Sequence, residues 1–235
     1  MTEYGRIHTK GISDLAFDIL EQPHVLIAGV TGSGKSTMLD TILTALCTYP
    51  SYEKSFIVID LKRVSVSRWR RVQNCKEYVT EPSDVSFALD SLVSEIDTRF
   101  RKMERRGLTM SDECDLYCVV DEAADLLDSV KDSYLKLKKI ARLGRAAKVH
   151  LILCTQSPNR KTIPADLTIN INARLGLRVD SAIESRQIIN AAGCEELPMY
   201  GRGLYRSPQN RSAVSVRIQK LSDEAINSII NLRRR

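Results

Sequence analysis

Gly29-Val-Thr-Gly-Ser-Gly-Lys35-Ser36 has the spacing G-x-x-x-x-G-K-[ST], and it follows an apolar run and opens a helical pattern. The glycines let the backbone curl so that successive N–H groups face one anionic point, and the helix start adds its positive dipole end. Lys35 can reach the β- and γ-phosphates of a bound nucleotide, and the Ser36 hydroxyl can ligate Mg²⁺. The motif predicts a nucleotide site over Gly29, Val30, Thr31, Gly32, Ser33, Gly34, Lys35, Ser36 and Thr37, with ATP and Mg²⁺ as ligands.

A phosphate loop of this kind needs an acid to hold its metal, and two strand ends offer one. Asp60 follows Phe-Ile-Val-Ile, and Asp121 follows Tyr-Cys-Val-Val. Asp121 is followed directly by Glu122, so one carboxylate can hold the Mg²⁺ shell while the other orients and deprotonates water. Asp60 is followed by Leu61-Lys62, which supplies no base, and Asp121 is therefore the expected metal ligand. The plainer reading of Glu122 is an acid complementing a helix dipole. Gln156 stands just past another apolar run, where it can sense a γ-phosphate or position water; its plainer reading is a loop amide bonded to backbone.

Positioning these groups takes alternating strands and helices. Apolar runs predict buried strands at His24–Ala28, Ser55–Asp60, Leu116–Val120, Val149–Cys154 and Arg174–Val179. Helical spacing predicts helices over Lys35–Cys47, Asp84–Arg106, Ser133–Ala147, Ser181–Ala191 and Asp223–Leu232, and Gly203–Arg206 and Ala213–Ile218 predict late edge strands. Continuous apolar strands separated by helices mean an α/β fold with a mostly parallel sheet covered on both faces. The 235 residues, 43% apolar and 27% charged, are enough for one ample core and exclude a disordered chain. No apolar run reaches the ~20 residues of a membrane helix. Met1 to Lys10 lacks the apolar centre of a secretory signal, and six cysteines without a C-x-x-C pair predict reduced thiols, so the expected compartment is the cytoplasm.

The net charge is +6, and it is unevenly spread. Residues 111 to 130 carry seven acids and no base, whereas residues 131 to 178 carry eleven bases and two acids. Such a stretch suits a polyanion partner or a solvated helix face equally. Arg68-Trp69-Arg70-Arg71 has the chemistry of a nucleic-acid contact or of an Arg–Trp stack at a subunit interface.

Taken in order, several segments resemble the FtsK/SpoIIIE motor domain of the FtsK/HerA superfamily. They are His24 to Ser36, Val58-Ile-Asp-Leu-Lys62, Val119-Val-Asp-Glu-Ala-Ala-Asp-Leu-Leu127, Arg145-Ala-Ala-Lys-Val-His-Leu-Ile-Leu153 and Thr155-Gln156. Asn170-Ile-Asn-Ala-Arg174, Ser185-Arg-Gln-Ile-Ile189, Ala192-Gly193 and Gly203-Leu-Tyr205 extend the match. The resemblance implies a RecA-like fold, assembly as a homo-oligomeric, hexameric ring, and movement of double-stranded DNA through it. It also implies Arg145 as an arginine finger offered to the neighbour's nucleotide, with Arg142 one turn earlier as its competitor.

The departures concern DNA. Positions that are basic in such motors hold Ser157, Thr168 and Ala182 here, and Arg160-Lys161 are the expected replacement contacts. The family's Gly-Asp before Leu-Tyr reads Arg202-Gly203, and no membrane helices or winged-helix segment lie within these residues. The expected organisation is an extension over 1–22, a motor over 23–221 and a basic-ended helix over 222–235. The alternatives are an ATP-dependent ring or conjugation or packaging ATPase that binds DNA or protein without processive translocation, and a P-loop kinase of small metabolites, which the Asp121-Glu122 pair suits less well.

Overall fold

A computed structural model describes residues 14–48, 54–63, 65–156, 158, 162–210 and 212–234. Chain order gives α1 (Asp14–Leu20), β1 (His24–Ala28), α2 (Lys35–Thr48), β2 (Ser55–Ile59), a 3₁₀ turn (Ser67–Arg71), β3 (Cys75–Val79), α3 (Pro82–Arg106) and β4 (Leu116–Val120). Then come α4 (Ala123–Ser129), α5 (Ser133–Ala147), β5 (Val149–Thr155), α6 (Ala165–Thr168), β6 (Ala173–Gly176), α7 (Ala182–Ile189), β7 (Arg202–Arg206), β8 (Val214–Arg217) and α8 (Asp223–Leu232).

The strands form one sheet in the order β3-β2-β4-β5-β1-β6-β7-β8. β3 through β6 are mutually parallel, and β7 and β8 close the far edge antiparallel. Alternation along each strand sorts side chains to two faces. Val25, Ile27, Phe56, Val58, Tyr117, Val119, Ile152 and Cys154 meet α1, α2 and α8. Leu26, Ile57, Ile59, Cys118, Val120, Leu151 and Leu153 meet α3, α4 and α5. Both faces are covered, which is why the central strands read as unbroken apolar runs.

The expected strands and helices are all present, with ends differing by a few residues. β3 and the short helices α1, α4 and α6 escaped the pattern reading. β3 is an edge strand of sequence Cys-Lys-Glu-Tyr-Val with two exposed residues at its centre, so it carries no apolar run. Five of the six cysteines are buried, all six are free thiols, and Cys114 is exposed.

The burial of Trp69 takes the aromatic part out of both readings offered for Arg68-Trp69-Arg70-Arg71. Trp69 is fully buried, and its indole N–H donates to Asp40 Oδ1 at 2.8 Å. Its ring is therefore closed to bases and to other subunits. Arg68 bridges Asp40 on α2 and Asp223 on α8. Arg233 Nε donates to the Cys47 carbonyl, so the helix that leaves the glycine loop is held at its far end as well.

His24 lies at the amino end of β1. Its Nδ1 accepts the Leu151 N–H at 3.0 Å, and burial, followed by the neighbouring His150, pushes its pKa down to about 3. The folded chain thus holds a neutral imidazole where the unfolded chain takes a proton below pH ~6.5. The resulting stability is complete above pH ~6.5 and is lost as the pH falls toward 3, by up to ~1.4 kcal/mol per pH unit. His24→Asn keeps a backbone acceptor and removes the proton site. In urea unfolding, the stability gap between wild type and variant should narrow by about 2 kcal/mol between pH 7 and pH 5. A constant gap would show that His24 is not held neutral.

Candidate functional site

The glycine loop joins β1 to α2 at the carboxyl edge of the sheet, and both neighbouring strands hold it. Gly29 N–H donates to the Thr155 carbonyl at the end of β5, and Val30 N–H to the Arg178 carbonyl beyond β6. A Cβ at Gly29 would lie 2.7 Å from Leu177 Cβ and from Ser33 Oγ, so only glycine fits between strand and loop. Gly32 and Gly34 have φ of +80° and +105°, the left-handed region that glycine reaches without strain. Lys35 begins α2 and folds back over the loop, donating to the carbonyls of Gly29 at 2.6 Å and Val30 at 3.1 Å. It is 7% exposed, and burial lowers its pKa against the opposing pull of Glu122 and Asp121. Ser36 is exposed at the helix start, Thr37 is half-buried, and Ser33 Oγ is buried with no hydrogen-bond partner among the described residues.

Asp121 and Glu122 end β4, one strand beyond β5. Asp121 is buried, and its carboxyl is raised above the usual range by desolvation and by Asp60 and Glu122, against a hydrogen bond from Ser65 and the charge of Lys35. Asp60 sits alongside, fully buried, with both oxygens engaged: Arg63 N–H donates to Oδ1 at 2.8 Å and the Tyr78 hydroxyl to Oδ2 at 2.6 Å. Of the two strand-end aspartates, Asp121 thus has the less committed carboxylate.

Glu122 stands before α4 but makes no side-chain cap to that helix. Instead the Gln156 backbone N–H donates to both of its oxygens at 3.1 Å. The Gln156 side chain turns toward the glycine loop, where the Thr31 hydroxyl donates to its Oε1 at 2.6 Å. Glu122, Gln156 and Thr31 form one continuous chain of contacts from β4 through the end of β5 to the loop. The structure brings Lys35, Asp121, Glu122 and Gln156 to a single edge.

The pattern reading missed Lys62. Its ammonium lies 3.5 Å from Glu122 and 3.2 Å from Asp125, and its pKa is raised although burial opposes this. Nothing local marks a lysine two residues beyond one strand as the partner of an acid beyond the next strand. That pairing follows only from β2 lying beside β4.

Arg145 is elsewhere. It is exposed in the last turn of α5, which ends where β5 begins, at the amino edge of the sheet. The glycine loop lies a strand length away, roughly 16 Å for the five residues of β1. Arg145 is thus far from the loop of its own subunit, as is exposed Arg142 on the preceding turn. Ser157, Arg160 and Lys161 lie outside the described residues. Thr168 donates its hydroxyl to the Ala165 carbonyl.

Part of the basic stretch is committed within the chain. Lys136 pairs with Asp90 and Asp132, Lys138 with Asp166, and Lys139 with Asp97. Arg174 donates to the carbonyls of Thr168, Ile171, Gln187 and Ile188. This favours the solvated-face reading for these four bases. Among the described residues no group of three His, Cys, Asp or Glu side chains is arranged to hold a metal ion by itself. A nucleotide-bound Mg²⁺ needs no such group, since it uses one or two carboxylates with phosphate oxygens and water.

The model of the FtsK/SpoIIIE family matches residues 10–195. A protein of Chlorobaculum tepidum named DNA translocase FtsK is 30% identical over 244 residues, covering 94% of this chain and 30% of that protein. Its namesake in Staphylococcus epidermidis is 32% identical over 241 residues, with 92% and 30% covered. The chain therefore spans about 30% of the length of these relatives. Among solved structures, the pCW3 conjugation coupling protein TcpA, in its monomer form with ATPγS, aligns with a TM-score of 0.79 at 23% identity, over 92% of this chain and 66% of that one. The cytoplasmic domain of the Type VII secretion ATPase EccC of Thermomonospora curvata aligns at 0.75 and 24% identity, over 90% and 28%. These two are likenesses of fold. With the family model covering most of the sequence, and with the glycine loop and paired carboxylates at one sheet edge, the chain belongs to the FtsK/SpoIIIE family of P-loop ATPases.

Proposed function

We propose that the chain is the motor of a DNA translocase: a Mg²⁺-dependent ATPase, cytoplasmic, that assembles as a hexameric ring and moves double-stranded DNA by hydrolysing ATP. The motor is assigned to residues 23–221, between the 1–22 extension and the basic-ended helix of 222–235. The observation that carries this reading is the contact chain from Glu122 through Gln156 to Thr31, which links an acid to the phosphate loop. Among the described residues, no helix is long and apolar enough to cross a membrane.

In this reading the loop N–H groups and Lys35 hold the β- and γ-phosphates. A water oxygen attacks the γ-phosphorus, the bond to the β-γ bridging oxygen breaks, and the water's proton passes to Glu122. Gln156, tied to both Glu122 and Thr31, reports whether the γ-phosphate is present. The donor set fits Mg²⁺: Asp121 is crowded by Asp60 and Glu122, a cluster that a divalent cation relieves, and Ser36 offers an exposed hydroxyl. Bound there with the phosphates, the ion would neutralise charge developing on their oxygens. Arg145 acts on the neighbouring subunit's nucleotide, a reading supported by its distance from its own loop.

Lys35→Ala should abolish nucleotide binding. Glu122→Gln should bind ATP normally and lose ~10²–10⁴ in turnover, the usual worth of a general base. Wild-type turnover in Glu122→Gln would move the base elsewhere.

Mixing two inactive variants, Lys35→Ala and Arg145→Ala, tests the ring. Mixed assemblies contain interfaces with an intact loop facing an intact finger, so ATPase activity should partly return. Turnover per protomer should also fall on dilution. A monomer whose rate ignores concentration contradicts ring assembly.

The decisive experiment measures ATPase rate with and without duplex DNA across salt. Stimulation by DNA should appear and should weaken as salt rises. Neutralising Arg160 and Lys161 together should reduce the slope of log affinity against log salt by ~1–2, because each phosphate contact contributes about 0.9. The loss should be equal for unrelated DNA sequences, since backbone contacts carry no base information. A ring that hydrolyses ATP with no response to DNA would favour an assembly ATPase acting on a protein partner.

A further inference from the structure

The segment after α7 passes the glycine loop on the side away from Glu122. It makes a 3₁₀ turn at Cys194–Glu196, buries Leu197, and then exposes residues 198–200 before β7. Both ends of this short loop are fixed. The Leu197 carbonyl accepts the Arg178 guanidinium at 2.7 Å, and the Gly201 carbonyl accepts Ile218 N–H at 3.0 Å, with Gly201 at φ +84°. The Arg178 carbonyl also accepts the Val30 N–H of the glycine loop. One residue therefore fastens the two loops together.

Between the fixed ends, two large apolar side chains stand in solvent: Met199 is 45% exposed and Tyr200 is 72% exposed. The Met199 methyl lies 3.6 Å from where a Cβ on Gly32 would sit, which places it beside the phosphate loop. The loop's other side, toward β4 and β5, is taken by Asp121, Glu122 and Gln156, the groups suited to the terminal phosphate. A nucleotide whose γ-phosphate faces those groups extends its nucleoside the opposite way, past the start of α2 and toward β6 and β7.

We propose that Met199 and Tyr200 form the platform on which the nucleotide's purine ring rests, with Arg178 as the residue that positions it. This rests on the chain binding ATP, and it adds where and how the base is held. A thioether and a phenol ring offer polarisable faces to a flat heteroaromatic ring. Aromatic stacking on a base is worth ~1–3 kcal/mol by alanine substitution, and every base has such a face. The platform thus supplies affinity for the nucleoside and leaves the phosphates to the glycine loop.

The test is calorimetric titration of the full chain with ADP and with inorganic pyrophosphate, each with Mg²⁺. Tyr200→Ala should weaken ADP by about tenfold or more and Met199→Ala by several-fold, while both leave pyrophosphate within about twofold. Tyr200→Phe keeps the ring face and should retain wild-type ADP affinity. A 2-aminopurine nucleotide provides the spectroscopic arm: its fluorescence should be quenched on binding wild type and Tyr200→Phe, and not on binding Tyr200→Ala. Unchanged ADP affinity in Tyr200→Ala overturns the platform. So does an equal loss for ADP and pyrophosphate, which marks a distorted phosphate loop, or a loss of assembly with ADP affinity intact, which marks a subunit contact. A wild-type chain that takes up neither ligand fails at the earlier step and overturns the ATP reading itself.

Discussion

Two backbone hydrogen bonds fix the glycine loop: Gly29 N–H to the Thr155 carbonyl on one side and Val30 N–H to the Arg178 carbonyl on the other. The loop has little choice of side chains and needs left-handed backbone at Gly32 and Gly34, so its shape must be imposed from outside. β5 and β6 impose it. The same two neighbours deliver what surrounds the loop. β5 ends in Gln156, which reaches Thr31, and the chain beyond β6 supplies Arg178, which holds the segment carrying Met199. A strand order that did not place β1 between β5 and β6 would separate all of these groups.

The charges at this edge are balanced only in combination. Asp60, Asp121 and Glu122 crowd together in poor contact with water, and Lys35 and Lys62 reach in from opposite sides. Removing either cation leaves acids that repel one another in a region of low polarity. The Tyr78 hydroxyl and the Arg63 N–H occupy Asp60 so fully that it acts as a fixed negative neighbour, raising the demand for positive charge at Asp121.

The parts legible in the sequence were those encoded by local rules. The loop glycines, the helix beginning at Lys35, the apolar central strands and the acids at their ends all follow from spacing within a few residues, and the structure has them in those places. What was not legible depends on partners distant in the chain. Lys62 becomes a neighbour of Glu122 only because β2 pairs with β4. β3 hides because an edge strand has no need of a continuous apolar run. Trp69, flanked by three arginines, looks like a surface motif; its burial is explained by a single carboxylate, Asp40, offered by α2. The eleven bases of residues 131–178 look like one field from sequence, yet several are matched by acids on α3 and at the start of α5 and α6.

The link between Trp69 and Asp40 has a practical side. The sequence contains a single tryptophan, and it lies against the helix that emerges from the phosphate loop, hydrogen-bonded one turn beyond Ser36. Its emission depends on the polarity around the indole and on the proton state and position of that carboxylate. The chain therefore carries a built-in optical probe at the base of its nucleotide helix, needing no dye and sharing its signal with no other indole. Small shifts of α2 as nucleotide enters or leaves can be followed in the unmodified protein, in real time and at low concentration.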